Sequence, residues 1–267
     1  MTDRAPVAVI VAMEAELRHL TDRLTPVSET RRGPWLDRAM RYGDLPVQIL
    51  CCGIGMINAA AGAEHVCDHF SPRAVLNFGC VGAHTRELLP GDVVIGSATV
   101  HHGAFHILAN GETYFPDAEY SVTGETVASN LRPCDPDLVA LAEAATADYV
   151  PDPWAIDIGW PTGMARRPGK VAVGVVASAD IWTQFHERID ELHARHQSLC
   201  EDMEAAAINR VCGRHHVPFL TIKDVSNNEF HAVSKLEGDI EALPASEIGR
   251  RSAEAILLVL DWLASEG

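Results

Sequence analysis

"CCGIGMINAAAGAEHVCDHFSPRAVLNFGCVGA", residues 51–83, decides the fold class. An apolar strand over 47–53 runs into Gly53 and Gly55, and these glycines open a helix over 56–70. The next apolar run begins at Arg73, reads as a buried strand, and ends in a small-residue turn at 79–83. Outward from this unit the rhythm repeats. A strand at 7–13 precedes an amphipathic helix from Glu14, and a strand at 91–102 follows. Beyond it come a strand at 169–180, helices at 185–196 and 203–216, a strand at 217–225 and a closing helix at 245–265. Strands separated by helices predict a single α/β domain with a mixed central sheet covered by helices on both faces. Only residues 103–170 break the pattern. They are rich in Pro, Gly, Asp and aromatics, and only 135–149 read as a helix. Because strand–helix alternation resumes afterwards, they are expected to be an irregular excursion from one domain spanning 1–267.

The 267 residues are 47% hydrophobic and 22% charged, enough apolar material for a sizeable core. A formal net charge of -16 repels phosphate backbones, so a small ligand is expected and a nucleic acid is not. Seven cysteines without CxxC spacing sit mostly in apolar runs, which suits reduced, buried thiols. The N-terminal apolar run is too short for a membrane span and lacks a signal-peptide pattern. A soluble, cytoplasmic protein with no membrane partner is the expectation. His102 and His106 are four apart but lie on a strand-to-loop passage, so a helical i,i+4 ligand pair is not indicated, and His215 and His216 read as surface or core residues. No metal and no cofactor are expected.

Ligands of open α/β sheets collect at the carboxyl ends of strands. Those ends gather Met13, Glu14 and Glu16, then Gly53, Ile54 and Gly55, then Gly79, Cys80, Val81 and Gly82. Ser178 and Asp180 follow, and Ser226 and Asn227 complete the set. "CGIG" alone is weak, being neither GxGxxG nor a Walker loop. In "CEDMEAAAINRVC", the acids Asp202 and Glu204 precede small residues that let a helix approach the sheet closely. Taken alone, two acids there also suit the positive end of a helix dipole.

Together these segments resemble the nucleoside phosphorylase superfamily, and most closely its methylthioadenosine/S-adenosylhomocysteine nucleosidases. "VAVIVAMEAEL", residues 52–83, "LLPGDVVIGSATVHH", "GVVASADIW", "DMEAAAINRVCGRHHVPFLTIKDVSN" and the closing helix occur in family order. The resemblance implies that Glu16 is the water-activating carboxylate, and that Glu204 with Met203 clamps the ribose diol. It places Ser178, Ala179 and Trp182 at the base, with Trp182 stacking. Met13, Ile54 and Phe230 become walls for the sugar and its 5′ substituent. Cys80 stands where the family usually has serine. A homodimer is implied, in which Phe105 and residues 112–120 could complete a neighbour's 5′ pocket or serve as a lid on their own chain.

Such a site cleaves an N-glycosidic bond through a sugar with oxocarbenium character, which nearby carboxylates stabilise. Phosphorolytic relatives need arginines around phosphate, whereas here Phe78 precedes Gly79 and the first strand leads into "MEAE". Water is therefore favoured as nucleophile over phosphate, with a phosphorylase as the alternative. At the last strand's exit the nucleosidases carry Ser-Asp, the acid protonating purine N7, whereas this chain has Ser226-Asn227. An amide donates a hydrogen bond but no proton. Three readings stay open: the base is a 6-oxopurine, the residue was substituted to trap a ligand, or the chain binds a nucleoside with little turnover. Asp224, three positions earlier on a strand, should face away from Asn227. Lys223 matches a family arginine and is expected to pair with an acid.

Overall fold

The computed structural model describes residues 5–116, 118–120, 126–127, 129–154, 160–231 and 244–265. The main strands are β1 (Val7–Val11), β2 (Thr25–Arg32), β3 (Trp35–Tyr42), β4 (Leu45–Cys51), β5 (Ala74–Ala83) and β6 (Val93–His101). Two short hairpins follow, β7 (His106–Ile107) with β8 (Thr113–Tyr114) and β9 (Glu119–Tyr120) with β10 (Thr126–Val127). The sheet resumes with β11 (Leu131–Pro133), β12 (Val171–Ser178), β13 (Ser198–Asp202) and β14 (Phe219–Asn227). The helices are α1 (Glu14–Thr21), α2 (Met56–Phe70), α3 (Pro136–Ala145), α4 (His186–His196), α5 (Ala205–Arg214) and α6 (Arg250–Ser265).

The sheet is mixed, and part of it closes on itself. β14 runs parallel to β5 and antiparallel to β6. β6 runs parallel to β12, β12 parallel to β13, and β13 antiparallel to β5. These five strands therefore form a ring. From β5 the sheet continues through β1 and β4 to β3 and β2, the last two antiparallel. Helices cover both faces, as the alternation predicts. One core joins β1, β4 and β5 to α1, α3 and α6, and a second joins the opposite sides of the strands to α2 and α5. β1 is buried at all five positions because it has helices on both sides.

Several boundaries differ from expectation. The turn expected at 79–83 is strand, since β5 runs unbroken to Ala83 and pairs there with β13. The hairpin of β2 and β3 carries a polar, largely solvated sequence with no clean apolar alternation, which hid it. β13 is five residues long and hides between two helices. The closing helix starts at Arg250, after a turn around Pro244. In the excursion, α3 begins as expected: Pro136 is its first residue and Asp135 Oδ1 accepts from the Asp137 and Leu138 N–H groups. A cap of this kind contributes about 1 kcal/mol. No helix among the described residues is long and apolar enough to cross a membrane.

Candidate active site

β1, β5, β13 and β14 end together, and their last residues build one polar cluster beneath the start of α5. Glu16, in the first turn of α1, is 3% exposed. Its Oε1 accepts from Cys80 N at 2.9 Å and its Oε2 from Met13 N at 3.2 Å, so both carboxylate oxygens are fixed. A Cβ on Gly79 would stand 2.6 Å from Glu16 Oε1, so this approach requires glycine. Burial holds the Glu16 carboxyl above its usual range, opposed by the Cys80 N–H, the Lys223 charge and the Met13 N–H.

Glu204 stands just before α5, where its Oε1 accepts from Gly55 N at 2.8 Å. Burial pushes this carboxyl up to about 7. The Asp202 charge adds to the rise, Lys223 and the Gly55 N–H oppose it, and Glu16 contributes in the same sense as Asp202. Lys223 holds the acids together. It is buried, its Nζ lies 2.7 Å from Asp202 Oδ2, and the charges of Asp202, Glu204 and Glu16 outweigh the effect of burial to keep it cationic. Asp202 also accepts from Ala205 N and from the Ser178 hydroxyl. The expected pairing of Lys223 with an acid is thus present. Asp224, next in the strand, turns to α6, accepting from Arg251 N at 3.2 Å.

Around this cluster the other anticipated residues take distinct places. Ser178 is fully buried, and its hydroxyl is spent between Asp202 and Ala206 N, so the residue holds the floor of the site together. Ala179 beside it is also fully buried. Trp182 is 43% exposed, its indole N–H pointing at Glu229 Oε1 from 3.4 Å. Cys80 contributes its N–H to Glu16, while its sulfur accepts from Gly249 N at 3.1 Å; burial raises the thiol well above its usual range. Met13 contributes its backbone, Met203 is half-buried, and Ile54 is exposed at the rim. Phe230 packs against His186 and under the Arg86 guanidinium, 3.8 Å from its ring centre. That guanidinium is bidentate to Asp190 at 2.9 and 3.1 Å.

Asn227 is 7% exposed. Its Nδ2 donates to Glu229 Oε1 at 2.8 Å, and its Oδ1 lies 2.9 Å from the Ser226 hydroxyl. An acceptor on one side and a donor on the other set which amide atom points where. β14 is bulged at this point, where Ser226 is the extra residue opposite β5.

Sequence reasoning gave no role to Glu229 or to Glu201. Glu201 accepts from Thr183 N and Oγ1 at 2.7 and 2.9 Å, with His84 and His102 at 3.3 and 3.4 Å, and so anchors the segment bearing Trp182. For Glu229 the available signal was the run "SNNEF" itself, four polar residues between a buried strand and an aromatic. Phe105 and Phe115 pack at a tilt with ring centres 5.5 Å apart, and Arg188 lies over both. Part of the aromatic segment expected at a subunit contact, Asp117 and the side chains of Glu119 and Tyr120, lies outside the described residues.

Known proteins share this architecture. The chain is 31% identical over 222 residues to 5'-methylthioadenosine/S-adenosylhomocysteine nucleosidase of Geobacillus kaustophilus, covering 82% of this chain and 83% of that one. Its fold matches the Neisseria meningitidis nucleosidase solved with methylthio-immucillin-A, with a TM-score of 0.73, 24% identity and coverage of 96% and 98%. It also matches the futalosine hydrolase of Helicobacter pylori, with a TM-score of 0.72, 17% identity and coverage of 96% and 97%. Residues 6–259 match the family described as the phosphorylase superfamily. The chain belongs to that superfamily.

Proposed function

We propose that this protein hydrolyses the N-glycosidic bond of a purine nucleoside. The observation that carries the proposal is the pair of buried acids, Glu16 and Glu204, gathered with Asp202 around the buried cation Lys223. In this reading Glu204 accepts hydrogen bonds from the ribose hydroxyls. Glu16, its oxygens oriented by two N–H groups, takes a proton from the attacking water. The negative cluster stabilises the oxocarbenium-like sugar. Lys223 is held on Asp202 and Arg86 on Asp190, so neither cation is poised for phosphate, which favours water.

Trp182 and Asn227 mark the base. With one N–H given to Glu229 and one Oδ1 lone pair facing Ser226, Asn227 retains one donor and one acceptor. Those match O6 and a protonated N7 of a 6-oxopurine. Association into a homodimer is part of the same proposal. Ile54, Ile57, Ile181, Trp182 and Phe185 leave an apolar exposed surface near the site for a second copy to cover, which light scattering would check.

The test is base release, quantified by chromatography, from methylthioadenosine, adenosylhomocysteine, adenosine, inosine, guanosine and futalosine, with and without phosphate. Release of hypoxanthine or guanine without phosphate is expected, exceeding adenine release. Strict phosphate dependence would make the protein a phosphorylase. Saturable binding without release would make it a binding protein.

A further inference from the structure

If the base-facing residue is an amide, the proton that a departing purine needs must come from elsewhere. We propose that Glu229 is the acid that supplies it, an assignment that rests on the hydrolase reading above. Five other buried or nearby carboxyl groups have visible work of a different kind. Asp224 faces α6 and Arg251. Asp202 is paired with Lys223 and receives the Ala205 N–H. Asp180 accepts from Met56 N at the start of α2. Glu204 accepts from Gly55 N, and Glu201 anchors Thr183.

Glu229 touches both residues proposed to mark the base, reaching Asn227 Nδ2 at 2.8 Å and Trp182 Nε1 at 3.4 Å. It is 3% exposed, so bulk water has little access to it. The turn carrying it is held firmly. Asn228 Nδ2 donates to the carbonyls of Thr85 and Leu88 at 2.8 and 2.6 Å, and Phe230 N donates to Asn228 Oδ1 at 3.1 Å. His186 Nε2 lies 2.9 Å from the Glu229 carbonyl oxygen. The side chain is therefore presented from a fixed backbone, as a positioned acid requires.

The step balances as follows. The C1′–N9 bond breaks and its electron pair passes into the imidazole ring of the purine. N7 takes the Glu229 proton, so the base leaves neutral, and Asn227 Oδ1 then accepts from the new N7–H. Water adds to C1′ and gives its proton to Glu16. Glu16 ends protonated and Glu229 ionised, and exchange with solvent after product release resets both.

The experiment compares Glu229→Gln with the double variant Asn227→Asp/Glu229→Gln, on whichever nucleoside the parent chain cleaves. Glu229→Gln is expected to lower kcat by about 10²–10⁴-fold, with KM within about threefold. The double variant exchanges donor and acceptor across the same hydrogen bond and returns an acid to the base. It is expected to recover at least tenfold of the loss. Parent-like kcat in Glu229→Gln, a loss confined to KM, or a loss that Asn227→Asp leaves unrepaired would each overturn the assignment. Those results leave the hydrolase reading intact as long as the parent releases base. If the parent releases no base from any nucleoside, the hydrolase reading itself is overturned.

Discussion

A carboxylate that accepts two backbone N–H groups has little freedom left, and Glu16 is in that position between Cys80 and Met13. What remains is its charge, which burial makes harder to hold than in water. Glu16→Gln removes the proton acceptor and keeps the shape. We expect kcat to fall about 10²–10⁴-fold with the circular dichroism unchanged. Because the variant also removes a costly buried ionisation, its melting temperature should equal or exceed that of the parent. An unimpaired kcat would remove Glu16 from the mechanism. The same scale separates Asn227 from the acid expected there. Its amide is oriented by Ser226 and Glu229, so the base recognition proposed for it would depend on a group two residues further along the chain.

Among the elements, the entry to α2 ties together the side of the site proposed to hold the sugar. Gly55 has φ +102°, and a Cβ there would stand 2.8 Å from Asp180 Oδ1, while its N–H donates to Glu204. The turn thus delivers one hydrogen bond to the proposed ribose carboxylate and makes room for the acid that holds Met56 N. Gly55→Ala should cost about 1–3 kcal/mol of stability from backbone strain, read from denaturant unfolding. It should also raise KM at least tenfold through Glu204, with a smaller effect on kcat. A stable variant with parent-like KM would show that the Gly55–Glu204 bond does not support substrate binding.

Over the whole molecule, the clustered acids set stability and proposed activity against each other. Burial raises Glu204 and Asp224 each to about 7, so near neutrality the folded chain binds more protons than the unfolded chain. Stability then falls as pH rises through that range. His102 acts in the opposite sense, since burial lowers it from 6.5 to about 4, but that contribution is complete by about pH 6.5. Between pH 6.5 and 8 the melting temperature is expected to decline. The ionised forms of Glu16 and Glu204, in which they are proposed to act, are the forms that burial opposes. A melting temperature that climbs through this window would mean that the two acids are not raised.

The local sequence determined the alternating elements, the α/β class and the strand ends where the acids gather. Apolar runs of strand length and glycines at strand exits are local signals that need no partner to be read. The closure of β5, β14, β6, β12 and β13 into a ring was decided only in three dimensions. Pairing of distant strands depends on register and chain direction, and no short window encodes either. The same holds for the grouping of Glu16, Asp202, Glu204 and Lys223, and for the contact between Glu229 and Asn227. The shifted ionisation of Glu16, Glu204 and Lys223 comes from burial and neighbouring charge, which exist only once the chain has folded around them.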